Sequence, residues 1–218
     1  MDDLGRFVVR MLGDSPAARA VEEQARTGAT GERSAMLRAA VSAVRQGAEP
    51  ASEPTPTAPA ATDDAGDRPT DPAGLADAVA AELEAAASRL TVAEREALAL
   101  RELLGLGYDE IADATGVGRD AVAPLLAQAR LDLRAALRGA TQTQPPCDER
   151  ERALRTIALR QDGEAEPAAD DDWLIDHLGH CRGCRQSHAA MLEASACYRA
   201  WASPEVPSDP VAGPGSVS

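Results

Sequence analysis

The chain has 218 residues, room for one large domain or two to three small ones, and its apolar set is mostly Ala and Leu with one Phe, two Tyr and two Trp. That mixture favours helix over strand, because sheet interiors draw on β-branched and aromatic side chains. All 22 basic residues are Arg and the net charge is −14, with no segment forming the basic patch that phosphate neutralisation needs, which excludes strong nonspecific nucleic-acid binding.

Residues 1–46 carry two short apolar patterns, one with Phe7, Val8, Met11 and Leu12 and another with Met36, Leu37, Ala40, Val41 and Val44, each too small to fold alone. The opening MDDLGRFVVRML has acids where a secretory leader has bases, and no window reaches the apolar length of a membrane span, so a cytoplasmic protein is expected. Residues 47–73 mix Pro, Ala, Thr and acids without periodicity and read as a disordered linker. Helical patterning resumes at Leu75, Val79 and Leu83, and residues 74–140 read as one helical domain. Pro145 and Pro146 mark a second boundary, 145–202 reads as a small helical module, and 203–218, rich in Pro, Gly and Ser, as a disordered tail.

Within 74–140, Thr91 with Glu94 three residues on predicts a capping box and a helix from Thr91 to about Leu104, ended by Gly105 and Gly107. A short helix over Tyr108–Thr115 follows, Gly116 supplies the turn, and Asp120 is the expected cap of a third helix. That helix buries Val122, Leu125 or Leu126, Ala129, Leu133 and Leu137, while Arg119, Arg130, Arg134 and Arg138, at spacings near whole turns, share another face. Pro124 is tolerable only close to the helix start.

The series LTxxEREALxLRELxGxxYDEIAxxxGVGxxAVxxLLxxARLxLR resembles region 4 of sigma-70 factors of the extracytoplasmic-function type over about fifty residues. The resemblance implies a helix-turn-helix that grips the upstream promoter element with its second helix and docks on RNA polymerase. Carried over, the recognition helix is 120–138, with Arg119, Asp120, Ala123, Arg130 and Arg134 as the DNA-facing set. Where that family presents basic and hydroxyl residues, this chain has Ala123, Pro124 and Leu125, so weak base-edge readout is expected. The N-terminal stretch resembles a shortened region 2. It lacks the aromatic residues that hold melted strands, with no Trp or Tyr before Tyr108, and two amphipathic helices packing on the rest of the chain is the other reading.

All four cysteines, Cys147, Cys181, Cys184 and Cys197, fall in the last third. His177 and Cys181 lie one helical turn apart and a CxxC turn brings Cys184 beside Cys181, giving three convergent ligands of the kinds zinc takes. Cys147 is the leading fourth ligand, with His180, His188 and Cys197 as rivals; a metal-free redox dithiol and inert buried thiols are the other readings. This stretch resembles the zinc-binding anti-sigma domain through its early Cys147, a helix ending near Asp162 to Glu164, and the set His177, Cys181 and Cys184.

The expected protein is therefore all-α: a helix-turn-helix domain of three to four helices plus a small zinc-binding helical module, joined to a short N-terminal helical segment by a disordered linker. It reads as a non-enzymatic, sigma-factor-like DNA-binding regulator of transcription initiation whose zinc module restrains it. Its expected partners are promoter DNA and RNA polymerase core or a sigma factor, with no membrane and no small-molecule substrate. The alternative is a zinc anti-sigma-like interaction module with a degenerate helix-turn-helix that does not bind DNA. For the restraint, the acids Asp148, Glu149, Glu151 and Asp170 to Asp172 are expected against the Arg strip.

Overall fold

The structure is a computed structural model that describes residues 3–12, 18–20, 22–23, 25, 33–47, 72–139, 146–165 and 170–202. Among these every regular element is helical: α1 (Asp3–Leu12), α2 (Arg33–Gly47), α3 (Pro72–Ala87), α4 (Val92–Leu98) running into a π-turn (Ala99–Leu103), α5 (Tyr108–Thr115), α6 (Arg119–Arg138), α7 (Arg150–Gln161), α8 (Asp171–His180) and α9 (Arg182–Ala202). The chain is all-α, as its composition predicts. Of the expected linker only the ends are described: Gly47 closes α2, and Pro72, whose missing N–H is no loss in a first turn, opens α3. The rest of the linker and the tail 203–218 lie outside the described residues.

Local chemistry sets the middle elements. Thr91 and Glu94 form the predicted box, with Thr91 N–H donating to Glu94 Oε2 at 2.8 Å and Glu94 N–H to Thr91 Oγ1 at 3.3 Å. The helix they start is not one regular α-helix to Leu104: from Ala99 it widens into the π-turn, closed by Leu106 N–H on Leu100 O at 3.2 Å around Gly105 at φ +64°. The wide turn presents Arg101 to the end of α7 and Glu102 to α6 and α9. Gly116, at φ +77°, ends α5 as predicted. The cap of α6 is Gly118 rather than Asp120, which lies in the first turn with an exposed carboxylate.

The centre of the molecule is α6, which packs on α3, α4, α5, α7 and α9. Its apolar strip of Val122, Leu126, Ala129 and Leu133 joins Leu98, Leu100 and Ile111 from the preceding helices and Ile157, Met191 and Tyr198 from the C-terminal ones in one continuous core. The N-terminal helices share that core through Phe7, Val8, Leu37, Val41 and Val44, with α1 against the π-turn and α2 against α5. Arg45 holds the fully buried Glu96 with Nε to Oε1 at 2.9 Å and Nη2 to Oε2 at 2.6 Å, a partner such a carboxylate requires.

Candidate metal centre and the covered face of α6

The ends of three helices meet at a thiol and imidazole cluster. Cys147 precedes α7, His177 lies in the last turn of α8, Cys181 is the joint between α8 and α9, and Cys184 is in the first turn of α9. Their ligand atoms all lie within 4.8 Å of one another. Cys147 Sγ is 3.6 Å from His177 Nε2 and 3.8 Å from Cys184 Sγ. A tetrahedron with metal–sulfur bonds of about 2.3 Å and a metal–nitrogen bond of about 2.0 Å has edges of about 3.5 Å (S to N) and 3.8 Å (S to S), so both spacings suit zinc. Of the rival ligands, His180 is exposed beside Asp176, and Cys197 lies thirteen residues beyond Cys184, about 20 Å along α9.

The surroundings orient this set. The His177 ring stacks on Trp173, centroids 5.1 Å apart and planes 19° from parallel, and the Arg152 guanidinium covers Trp173 at 3.9 Å. The Cys181 thiol is held below its ordinary range, first by the Cys184 backbone N–H. Burial, with hydrogen bonds to Cys181 and Cys147, pushes the Cys184 thiol up to about 12, so metal binding there must displace a proton.

The second feature is the seam between α6 and the C-terminal helices. Arg130, expected to face DNA, is fully buried. It donates from Nη1 and Nη2 to Asp162 at 3.0 and 2.7 Å and from Nε and Nη2 to Glu102 Oε1 at 3.0 and 2.7 Å. Burial works against its charge, but the hydrogen bonds and charges of Asp162 and Glu102 outweigh that and hold the guanidinium above its ordinary value. Tyr108 donates to the same Asp162 carboxylate at 2.8 Å, and burial plus that charge drive its phenol upward. Ser195 of α9 donates to Glu102 Oε1 at 2.7 Å.

The rest of the Arg strip is engaged from the same side. Arg119 lies 2.7 Å from Asp109 and 3.8 Å from Glu164, and a single carboxylate, Glu193, spans Arg134 at 2.6 Å and Arg138 at 2.9 Å. Ala123, also expected to face DNA, is buried in the core with Ala127, and Leu125 packs against it. Asp120 stays exposed, 3.6 Å from Arg155.

Residues 80–133 match the family model of Sigma-70, region 4. The match covers about a quarter of the chain, from the second half of α3 through α4 and α5 into α6, and no curated protein and no solved structure matches. The strip of Arg residues on α6 was legible as a strip, but not the side from which it is covered. The acids that reach it from the C-terminal part of the chain are Asp162, Glu164 and Glu193, beside Glu102 and Asp109 from the preceding elements, and not the expected cluster: Glu149 and Asp170 pair with Arg152, and Asp171 with Arg160. In sequence Asp162 and Glu164 marked only a helix end, and nothing set Glu193 apart from any solvated acid.

Proposed function

We propose that this chain is a region-4-type regulator of transcription initiation whose C-terminal module, folded around a zinc ion, holds the recognition helix closed. The observation that carries this reading is the pairing of Arg119, Arg130, Arg134 and Arg138 with Asp162, Glu164 and Glu193. Charges that would neutralise phosphate are already neutralised within the chain. Cys147, His177, Cys181 and Cys184 would hold the zinc, which acts as a structural crosslink between the ends of α7, α8 and α9. In the released state Arg119, Arg134 and Arg138 are the phosphate contacts and polymerase core or a sigma factor is the protein partner. Among the described residues no helix is long and apolar enough to cross a membrane, and the proposed place of action is the cytoplasm.

A second reading has its own support. Ala123 and Ala127 are small, buried and part of the core, as suits a permanent helix contact and not a groove-reading surface. On this reading the chain is an anti-sigma-like interaction module with the region-4 segment as scaffold. Fluorescence anisotropy with promoter duplexes, on the full chain and on Glu193→Gln, separates the two. The regulator reading expects tighter, salt-sensitive binding by the variant, and no binding by either protein leaves the scaffold reading.

A further inference from the structure

Trp173 and His177 are one turn apart on α8, so their rings meet on one face, centroids 5.1 Å apart and planes 19° from parallel, within the spacing of an offset aromatic stack. His177 is turned so that Nε2 lies 3.6 Å from Cys147 Sγ. Trp173 is itself held. The Arg152 guanidinium of α7 lies 3.9 Å from its ring centroid, and Arg152 Nη2 donates at 2.6 Å to Asp170, which caps α8. The ring that touches His177 is thus tied to the helix that follows Cys147, and one chain of contacts joins the elements of two of the four ligands.

A half-buried imidazole turns about two torsions, and a site that must freeze them on binding loses affinity; a ring already stacked has lost that freedom beforehand. The indole face is also the negative part of the ring quadrupole. An imidazole whose Nε2 is bonded to a dication gives up electron density, and it stacks on that face more strongly than the free neutral ring does. Only an interaction that differs between two states shifts the balance between them, and this one favours the metal-loaded state.

We propose that Trp173 is the positioning residue of the metal centre, its indole face holding His177 in the orientation that carries Nε2 to the sulfurs and raising the affinity for zinc through it. The inference rests on the zinc reading of Cys147, His177, Cys181 and Cys184 and is independent of DNA binding.

The test measures zinc affinity of the full, reduced chain by competition with a chelating dye, together with the visible spectrum of its cobalt(II) form. Trp173→Leu, which keeps bulk and removes the π face, is expected to bind zinc about tenfold more weakly, or about 1.4 kcal/mol, and to show weaker, shifted cobalt bands because the imidazole is no longer held. Trp173→Phe, which keeps a ring face, should restore both. On the unaltered chain, cobalt(II) should broaden the indole N–H resonance of Trp173 and spare that of Trp201, about 25 Å along α9 from Cys184; this measurement needs no variant to fold. Zinc binding by Trp173→Leu equal to that of the unaltered chain, a Trp173→Phe protein as weak as Trp173→Leu, or an unbroadened Trp173 signal overturns the proposal and leaves the zinc reading in place. An unaltered chain that binds no zinc overturns both.

Discussion

Arg130 and Asp162 close a two-point pair, at 3.0 and 2.7 Å, between the middle of α6 and a turn 32 residues away. Both side chains are almost wholly buried, so neither can lose its partner without leaving an uncompensated charge. Arg130→Ala and Asp162→Ala are each expected to destabilise the fold by about 3–5 kcal/mol. Urea unfolding of the metal-loaded protein reads this directly. A change within about 0.5 kcal/mol, typical of a surface site, would place Arg130 on the outside after all.

The purified, reduced protein is expected to carry one zinc per chain. Cys181→Ser should release it and unfold the helices that the cluster ties together, because in small sites metal binding supplies folding free energy. Metal analysis with far-ultraviolet circular dichroism follows both. A metal-free protein with undiminished helicity and the same melting curve would contradict a structural role.

Zinc uptake should also release protons. With its pKa near 12, the Cys184 thiol is fully protonated at neutral pH in the metal-free protein, and its proton must leave when sulfur binds metal. Affinity therefore falls as pH falls. Calorimetry in buffers of different ionisation enthalpy measures the count, and zero protons released at pH 7 would show that Cys184 is not a ligand.

The exposed part of the clamp should respond to acid. Hydrogen bonds from Arg138 and then Arg134 hold the Glu193 carboxyl below its ordinary value. A depressed folded pKa contributes stability above the unfolded value, and that contribution is lost as pH falls through the folded one. The Glu193 carboxyl carbon should thus titrate at lower pH in the folded chain than in denatured chain. Coincident midpoints would mean the clamp is not populated in solution.

Local signals were legible in the sequence because they are written in neighbouring residues. Thr91 with Glu94, Gly116 and the H(x3)C(x2)C spacing each specify a geometry within one or two turns. The π-turn escaped because its cause, the closing contact of Leu106 on Leu100 and the partners of Arg101 and Glu102, lies beyond the helix it alters. The side on which Arg130 sits escaped for a related reason. A periodicity of whole turns groups side chains on one face but leaves open whether water or another helix covers it. That depended on Asp162, Glu164 and Glu193, acids in a chain with 36 of them.

The two readings of the chain part most clearly at Ala123. In the closed structure this side chain is 2 % exposed and adjoins the core, so a long basic residue has no space and its charge no partner there. Ala123→Arg, which puts a long basic side chain at this point, should lower the melting temperature of the full chain. If the seam can open, the variant shifts the population toward the open form, and promoter-duplex binding rises although the closed fold is weakened. If the seam is permanent, the same substitution only destabilises, and duplex binding stays absent. Pro124→Ala is the control: this residue is exposed and lies inside α6, where proline costs up to about 3 kcal/mol, so the change should stabilise the helix without touching the seam. A rise in duplex binding with Pro124→Ala but not with Ala123→Arg would mean that helix order, and not release from the C-terminal module, limits DNA contact.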